Sequence, residues 1–284
     1  MNRLYQSVLL TFLSVMSLHV CADDTTPVKP LEVGVVPFLS SRVIITNYEP
    51  MRQYLERTLG KPVKIYTSSS FKSFFTDAQK GEFDMVVSAA HFARILQKEN
   101  NFIPLVRYES GARGLVMTAV NSPIKTLEGL RGKVIAVPNQ LSLASIVSMS
   151  RLREYGLNST TDYKILDVPS FTSAILAIEK GDAIAAISAP AALTQMTKEL
   201  RDSVKPILDT GEYINLIILA HPRLGKTYTQ LLQNSLLKFG KDPNLGKQFI
   251  VSTGIGAIIP VSSTDMNTLD KYVADTKRLL NKTP

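Results

Sequence analysis

Short apolar, β-branched runs alternate along this chain with stretches whose apolar residues recur every three or four positions, the signatures of buried strands and amphipathic helices. Residues 31–37 and 63–66 read as strands, and the spacing over 42–59 predicts a helix that stops at Gly60. A helix over 71–80 closed by Gly81, a strand over 83–87 and a helix begun by 91–97 continue the series. Strands alternating with helices at this spacing predict right-handed βαβ units and a parallel sheet.

The alternation breaks once, which bears on domain structure. Residues 103–108 and 114–120 read as extended segments around a Gly-containing turn, and Asn121-Ser122-Pro123 is the expected crossing to a second unit. That unit has predicted strands at 134–137, 163–168 and 184–187, helices at 142–155 and 171–180, and a last helix running to about 200. Residues 213–219 read as a returning strand, with helices at 226–239 and 265–280 beyond it. The expected fold is α/β, with lobe one made of 23–120 plus 220–284, lobe two of 121–219, and two crossings between them.

Six strand-to-helix turns are rich in Ser, Thr, Asn or Pro. They are Pro37-Phe38-Leu39-Ser40-Ser41, Tyr66-Thr67-Ser68-Ser69-Ser70, Ser88-Ala89-Ala90-His91, Pro138-Asn139-Gln140-Leu141-Ser142, Pro169-Ser170-Phe171-Thr172 and Ser188-Ala189-Pro190. At the carboxyl ends of parallel strands, helix N-termini offer unpaired N–H groups and partial positive charge to a ligand. Two groups of three turns therefore suggest two lobes facing one anion. The candidate contacts are Ser40, Ser41, Arg42, Tyr66, Ser88, His91, Asn139, Gln140, Ser142, Ser170, Thr172 and Ser188. Simpler readings stand beside this one. Serines at helix starts commonly cap the helix, so Ser40, Ser41 and residues 68–70 are open to both, and Tyr66 is either a pocket wall or a core residue.

The first 22 residues change the picture of the compartment. Arg3 supplies a positive start, residues 8–20 are mostly apolar, and Val20-Cys21-Ala22 offers a cut before Asp23, which together make a cleavable secretory signal. The competing reading is a lipoprotein anchored through Cys21, for which Val20 is a poor fit. Cleavage after Ala22 removes the chain's one cysteine and leaves 262 residues. An exported chain without thiols is stabilised by its core, not by bridges, and the periplasm is the expected location. Losing Arg3 takes the 32 basic residues to 31 against 24 acidic, a formal +7. There is no run of five like charges and no nucleic-acid motif, so an anionic small ligand is expected and nucleic acid is not.

Catalytic and cofactor chemistry finds little support. Only His91 and His221 remain after the signal, neither at metal-ligand spacing, and no Gly-x-Ser-x-Gly elbow occurs. His91 is read as ligand-facing, not catalytic, and His221 as shaping the lobe-one surface or hinge. Gly254-Ile255-Gly256 lacks the spacing of a nucleotide fingerprint and reads as a turn. No cofactor or metal is expected.

The ordered series Val33-Gly34-Val35-Val36-Pro37, Tyr48-Glu49-Pro50-Met51, Gly81-Glu82-Phe83-Asp84-Met85-Val86-Val87, Lys125-Thr126-Leu127-Glu128-Gly129-Leu130-Arg131-Gly132-Lys133 and Ala174-Ile175-Leu176-Ala177-Ile178 before Gly181-Asp182 resembles the phosphate, phosphite and phosphonate-binding proteins of ABC importers. The resemblance covers nearly all of the exported chain. It implies a two-lobed type II periplasmic binding protein fold with mainly parallel sheets, which closes on an oxyanion and docks on a membrane permease as a monomer. It also implies oxyanion contacts through hydroxyls and helix N-termini, with Ser142 matching the family's fourth turn. Where the family often carries charged residues at the fifth and sixth turns, this chain has Phe171, Thr172 and Ser188. Such acids can take a ligand ammonium, so their absence implies a simple oxyanion and not a zwitterionic aminophosphonate. The alternatives carried are a sensor or accessory protein on the same fold, and, third, an enzyme.

Overall fold

The computed structural model describes residues 28–282; the predicted signal, with Cys21, lies outside them. The chain opens with β1 (Leu31–Val35), α1 (Ser41–Leu59), β2 (Val63–Thr67), α2 (Phe71–Gln79), β3 (Met85–Ala89), α3 (Ala90–Asn100) and β4 (Ile103–Tyr108). It continues through β5 (Ala112–Ala119), β6 (Val134–Pro138), α4 (Leu143–Glu154), β7 (Lys164–Val168), α5 (Phe171–Glu179) and β8 (Ala185–Ser188). Two short helices, α6 (Pro190–Leu193) and α7 (Lys198–Asp202), precede the long strand β9 (Val204–Tyr213). The remainder is β10 (Leu216–Ala220), α8 (Gly225–Phe239), α9 (Leu245–Thr253), β11 (Ile258–Pro260), α10 (Ser263–Asn267) and α11 (Asp270–Leu280).

These strands form two sheets, ordered β11-β4-β10-β3-β1-β2 and β7-β6-β8-β5-β9. Apart from β11, the two orders are the same. Each has a parallel trio, then a strand that arrives from the other sheet, then an outer strand. The arriving strands, β10 and β5, run antiparallel to both neighbours. Both sheets are therefore mixed, because a strand entering at the end where the parallel trio finishes must run the opposite way. Helices flank both sheets and the α/β, two-lobed expectation holds.

The crossings lie one strand away from where the sequence places them. Because β5 pairs with β8 and β9, residues 112–119 belong to the second sheet and the first crossing is at 109–111, not at 121–123. Because β10 pairs with β3 and β4, residues 216–219 belong to the first sheet and the return is at 214–215. Apolar patterning marks a strand but does not name its neighbours. Three elements also escape the sequence reading: β9, α9 and β11. β9 is an outer strand with Pro206 and Gly211 in it and much of its length exposed, so it lacks the apolar run of a central strand.

In lobe one, Tyr48 of α1 and Tyr108 of β4 meet hydroxyl to hydroxyl at 3.0 Å, with the Phe249 ring edge-on to both. That contact seats α9 against α1. Gly34 of β1 lies flat under the Phe83 ring, which would stand 2.5 Å from any Cβ there. The turn 254–257 is tied to the first crossing by Glu109 N–H to Ala257 O at 2.8 Å and Ser110 N–H to Ile255 O at 2.9 Å. Gly254-Ile255-Gly256 is thus a turn that clasps the crossing. Among the described residues no helix is long and apolar enough to cross a membrane.

Candidate functional site

The parallel trios of both sheets end at the same side as the two crossings, so the turns after β1, β2 and β3 face those after β6, β7 and β8 across the cleft. The side chains in these turns divide sharply by what already engages them.

At α2, α4 and α5 the serines cap. Ser70 Oγ accepts the Ser73 N–H at 3.0 Å, Ser142 Oγ accepts the Ser145 N–H at 3.2 Å, and Ser170 Oγ accepts the Ser173 N–H at 3.1 Å. In each case the two serine hydroxyls also bond one another at 2.9 Å. The Ser-x-x-Ser spacing is the local signal for this arrangement, since a cap oxygen reaches the N–H three residues on. Ser70-Phe71 and Lys80-Gly81 even recur as Ser170-Phe171 and Lys180-Gly181, with Gly81 at φ 76° and Gly181 at φ 78° closing equivalent helix ends. The second βα unit of each lobe is one repeated design.

At α1 the donors are free of such work. Ser40 stands at the N-cap with its side chain unengaged, Ser41 and Arg42 are exposed, and Arg42 forms no ion pair among the described residues. Helix geometry leaves the first N–H groups of α1 without intrahelical acceptors. Two hydroxyls, a guanidinium and a helix N-terminus are thus gathered within three consecutive residues.

His91 ties the lobes together. It is fully buried at the start of α3, and its Nε2 lies 3.2 Å from the Leu141 carbonyl oxygen in the turn before α4. The Ala90 N–H beside it bonds the Asn215 carbonyl of the return crossing at 2.9 Å. Burial lowers the His91 imidazole to about 3, with the Leu141 hydrogen bond pulling the other way. The ring is therefore neutral, donating from Nε2, and offers an anion no charge. Leu141 and Asn215 act through their carbonyls, which every residue has, so no sequence signal marks them.

Other predicted contacts are turned elsewhere. Tyr66 packs over Phe83, ring centroids 6.4 Å apart, and its hydroxyl is drawn to Glu32, whose hydrogen bond is the main cause raising it above the ordinary phenol value. Ser88 and Ser188 are both completely buried; Ser88 Oγ donates to the Ala89 carbonyl at 3.2 Å and Ser188 Oγ has no partner among the described residues. As last or near-last residues of β3 and β8, their side chains project into a sheet face and not along the strand toward the cleft. Asn139, at φ 43°, spends its side chain on the Leu141 N–H at 3.0 Å in a local turn. Gln140 donates to both carboxylate oxygens of Asp167 at 2.8 Å. Thr172 is exposed in the first turn of α5. The structure thus keeps Ser40, Ser41, Arg42, Tyr66 and Thr172 as exposed side chains, gives His91 and Ser142 positioning work, and encloses Ser88 and Ser188. Three surface pockets, between α4 and α11, beside the start of β6, and between α1 and α9, contain none of these residues. Among the described residues no three His, Cys, Asp or Glu side chains gather as a metal site.

Two sheets with a shared strand order, exchanged strands and helix N-termini lining one cleft define a type II periplasmic binding protein fold. The same architecture occurs in XAC2383 of Xanthomonas citri bound to ATP, at TM-score 0.76, with 17% identity over 89% of this chain and 99% of that one. It occurs also in PhnD1 of Prochlorococcus marinus in complex with methylphosphonate, at TM-score 0.69 and 16% identity, covering 90% and 99% of the two chains. The periplasmic aliphatic sulphonate binding protein SsuA of Escherichia coli is similar at TM-score 0.63, with 15% identity over 89% and 94%. A search of the curated proteins finds no match. The family model of the ABC transporter phosphonate periplasmic substrate-binding protein matches residues 33–266, and the chain belongs to that family. It is a family of transport solute-binding proteins, not of enzymes.

Proposed function

We propose that this protein captures a small oxyanion of the phosphate, phosphite or phosphonate type between its lobes and delivers it to an ABC permease, with no covalent chemistry of its own. The observation that carries this reading is the start of α1, where Ser40, Ser41 and Arg42, which forms no ion pair among the described residues, offer hydroxyls and a charge at a helix N-terminus. That combination suits an anion, since a guanidinium forks onto two oxygens while helix N–H groups and dipole favour negative charge. Opposite it, the N-terminus of α4 is held in place by Ser142 and reaches lobe one through Leu141 and His91. The six turns contain no Asp or Glu. The carboxylate nearest them, Asp167, is already engaged through both oxygens by Gln140, so a ligand ammonium would compete for its counter-charge, which supports a simple oxyanion over an aminophosphonate. The structural relatives named above were solved with ATP or methylphosphonate, or are named for sulphonates, all ligands with tetrahedral oxyanion groups.

The test is calorimetric titration of the exported chain with phosphate, phosphite, methylphosphonate, aminoethylphosphonate, sulfate and acetate. Saturable binding of at least one of the first three, with aminoethylphosphonate weaker, is expected. Arg42→Ala should weaken that binding by about tenfold or more, the worth of one charged hydrogen-bonded pair, with the melting temperature of the free protein unchanged. Absence of binding to every oxyanion overturns the receptor reading, and a preference for aminoethylphosphonate overturns the argument from the missing acids.

A further inference from the structure

Phe38 is the one exposed phenylalanine among the described residues. It stands with Leu39 in the turn after β1, directly before Ser40, Ser41 and Arg42, and the two side chains are 41% and 40% exposed. Val43, in the first turn of α1, is exposed as well. Single apolar residues on a surface need no explanation. Here the three apolar side chains and the two hydroxyls and guanidinium alternate within one short stretch, so the exposed apolar patch surrounds the candidate anion donors.

The patch is not a loose loop that has failed to bury. Val36 N–H bonds the Val87 carbonyl of β3 at 3.0 Å, Phe38 N–H bonds the Val36 carbonyl at 2.8 Å, and Ile44 N–H bonds the Ser40 carbonyl at 3.0 Å. Val36 and Ile44 are fully buried at either end, so the backbone is pinned on both sides while Phe38 and Leu39 remain in water. Keeping them there forgoes the burial that each side chain would otherwise contribute. The turn belongs to the set that faces the second lobe, where Pro169-Ser170-Phe171-Thr172 and Ser188-Ala189-Pro190 carry no charge. A small-molecule site pairs an apolar lining with a few convergent polar groups, and an inorganic oxyanion would use only the polar part of this one.

We propose that the anion captured here is organic: a phosphonate or phosphate monoester with an aromatic body, whose oxyanion head sits on Ser40, Ser41 and Arg42 while its ring lies on Phe38 and Leu39. This rests on the oxyanion reading above and adds to it the class of ligand. The guanidinium and hydroxyls select the head. The exposed phenylalanine and leucine select the body, since aromatic rings pack favourably edge-on or offset against one another. Phosphate, phosphite and methylphosphonate, which have no such body, are weaker ligands of the same head site.

Phenylphosphonate and methylphosphonate are the probes, titrated into the exported chain by calorimetry at a pH where both are dianions. Phenylphosphonate should bind about tenfold tighter. Phe38→Ala should bring the two affinities close to equality and Leu39→Ala should narrow the gap, whereas Leu231→Ala, at an exposed leucine of α8, should leave the gap as in the parent. Ring protons of bound phenylphosphonate should show nuclear Overhauser contacts to the Leu39 methyls, assigned by their loss in Leu39→Ala. Phenylphosphonate binding no tighter than methylphosphonate overturns the proposal and leaves the oxyanion reading standing, while binding of neither overturns both. A preference that survives undiminished in Phe38→Ala places the ring elsewhere and overturns the proposal as well. So does a concentration-dependent dimer that Phe38→Ala dissolves, because a second copy of the chain would then be what covers these residues.

Discussion

Arg42 and His91 stand in neighbouring turns of the same lobe, yet one is an exposed cation and the other a buried neutral ring. The difference makes His91 a pH-dependent element of stability. Its imidazole titrates near 6.5 when the chain is unfolded and near 3 when buried, so below pH 6.5 the unfolded chain binds a proton that the folded one refuses. The stabilisation from the buried neutral ring is complete above pH 6.5 and is lost as pH falls toward 3, by up to about 1.4 kcal/mol per pH unit. Glu49 and Asp270, whose carboxyls are held low by hydrogen bonds from Arg52 and from Arg94 and Lys98, also lose stabilisation on acidification. Urea unfolding of the parent and of His91→Gln between pH 7.5 and 4.5 separates these sources. The parent should lose stability more steeply, and parallel slopes would show that His91 contributes nothing. At this scale the sequence was a good guide to residue type but not to direction. It marked Tyr66, Ser88 and Ser188 as candidates because of their places at strand ends, whereas their orientation depends on Phe83, Glu32 and the sheet faces around them.

Among the elements, α2, α4 and α5 each begin with a pair of serines whose hydroxyls bond one another. A cap oxygen satisfies a helix N–H that would otherwise need water, and its loss costs about 1 kcal/mol. Ser70→Ala and Ser170→Ala should each lower unfolding free energy by about that amount in urea, with oxyanion affinity unchanged in calorimetry. A large drop in affinity for either variant would place its hydroxyl on the ligand instead. Most helices and the parallel trios were legible because local periodicity specifies them. The exceptions share a cause: β9 is an outer strand, β11 has three residues, and α9 is held by packing against α1 through Phe249. Such elements owe their existence to neighbours more than to pattern.

Across the whole molecule the two lobes are joined by crossings at 109–111 and 214–215, and the first is held by the turn at 254–257. Gly256 has φ 71°, and a Cβ there would stand 2.7 Å from Ser110 Oγ and 3.1 Å from the Glu109 carboxylate. Gly256→Ala should therefore strain the clasp by about 1–3 kcal/mol, lowering the melting temperature, and should alter the ligand-induced change in radius of gyration seen by small-angle scattering. An unchanged melting temperature would show that the clasp yields freely. On the far side, Arg94 is 8% exposed and bonds both carboxylate oxygens of Asp270 at 2.8 Å, securing α11 to α3 while α11 also reaches α4.

The sequence by itself determined the alternation of strands and helices, the absence of cysteine from the described chain and the resemblance to a binding-protein family. Each of these depends on residues close together in the chain or on their order along it. Only the tertiary structure decided that β5 and β10 are exchanged between sheets, that Ser88 and Ser188 are enclosed, and that His91 meets a backbone carbonyl fifty residues away. Those outcomes turn on which distant segments become neighbours. Pairing, burial and carbonyl contacts leave no local mark on side-chain pattern.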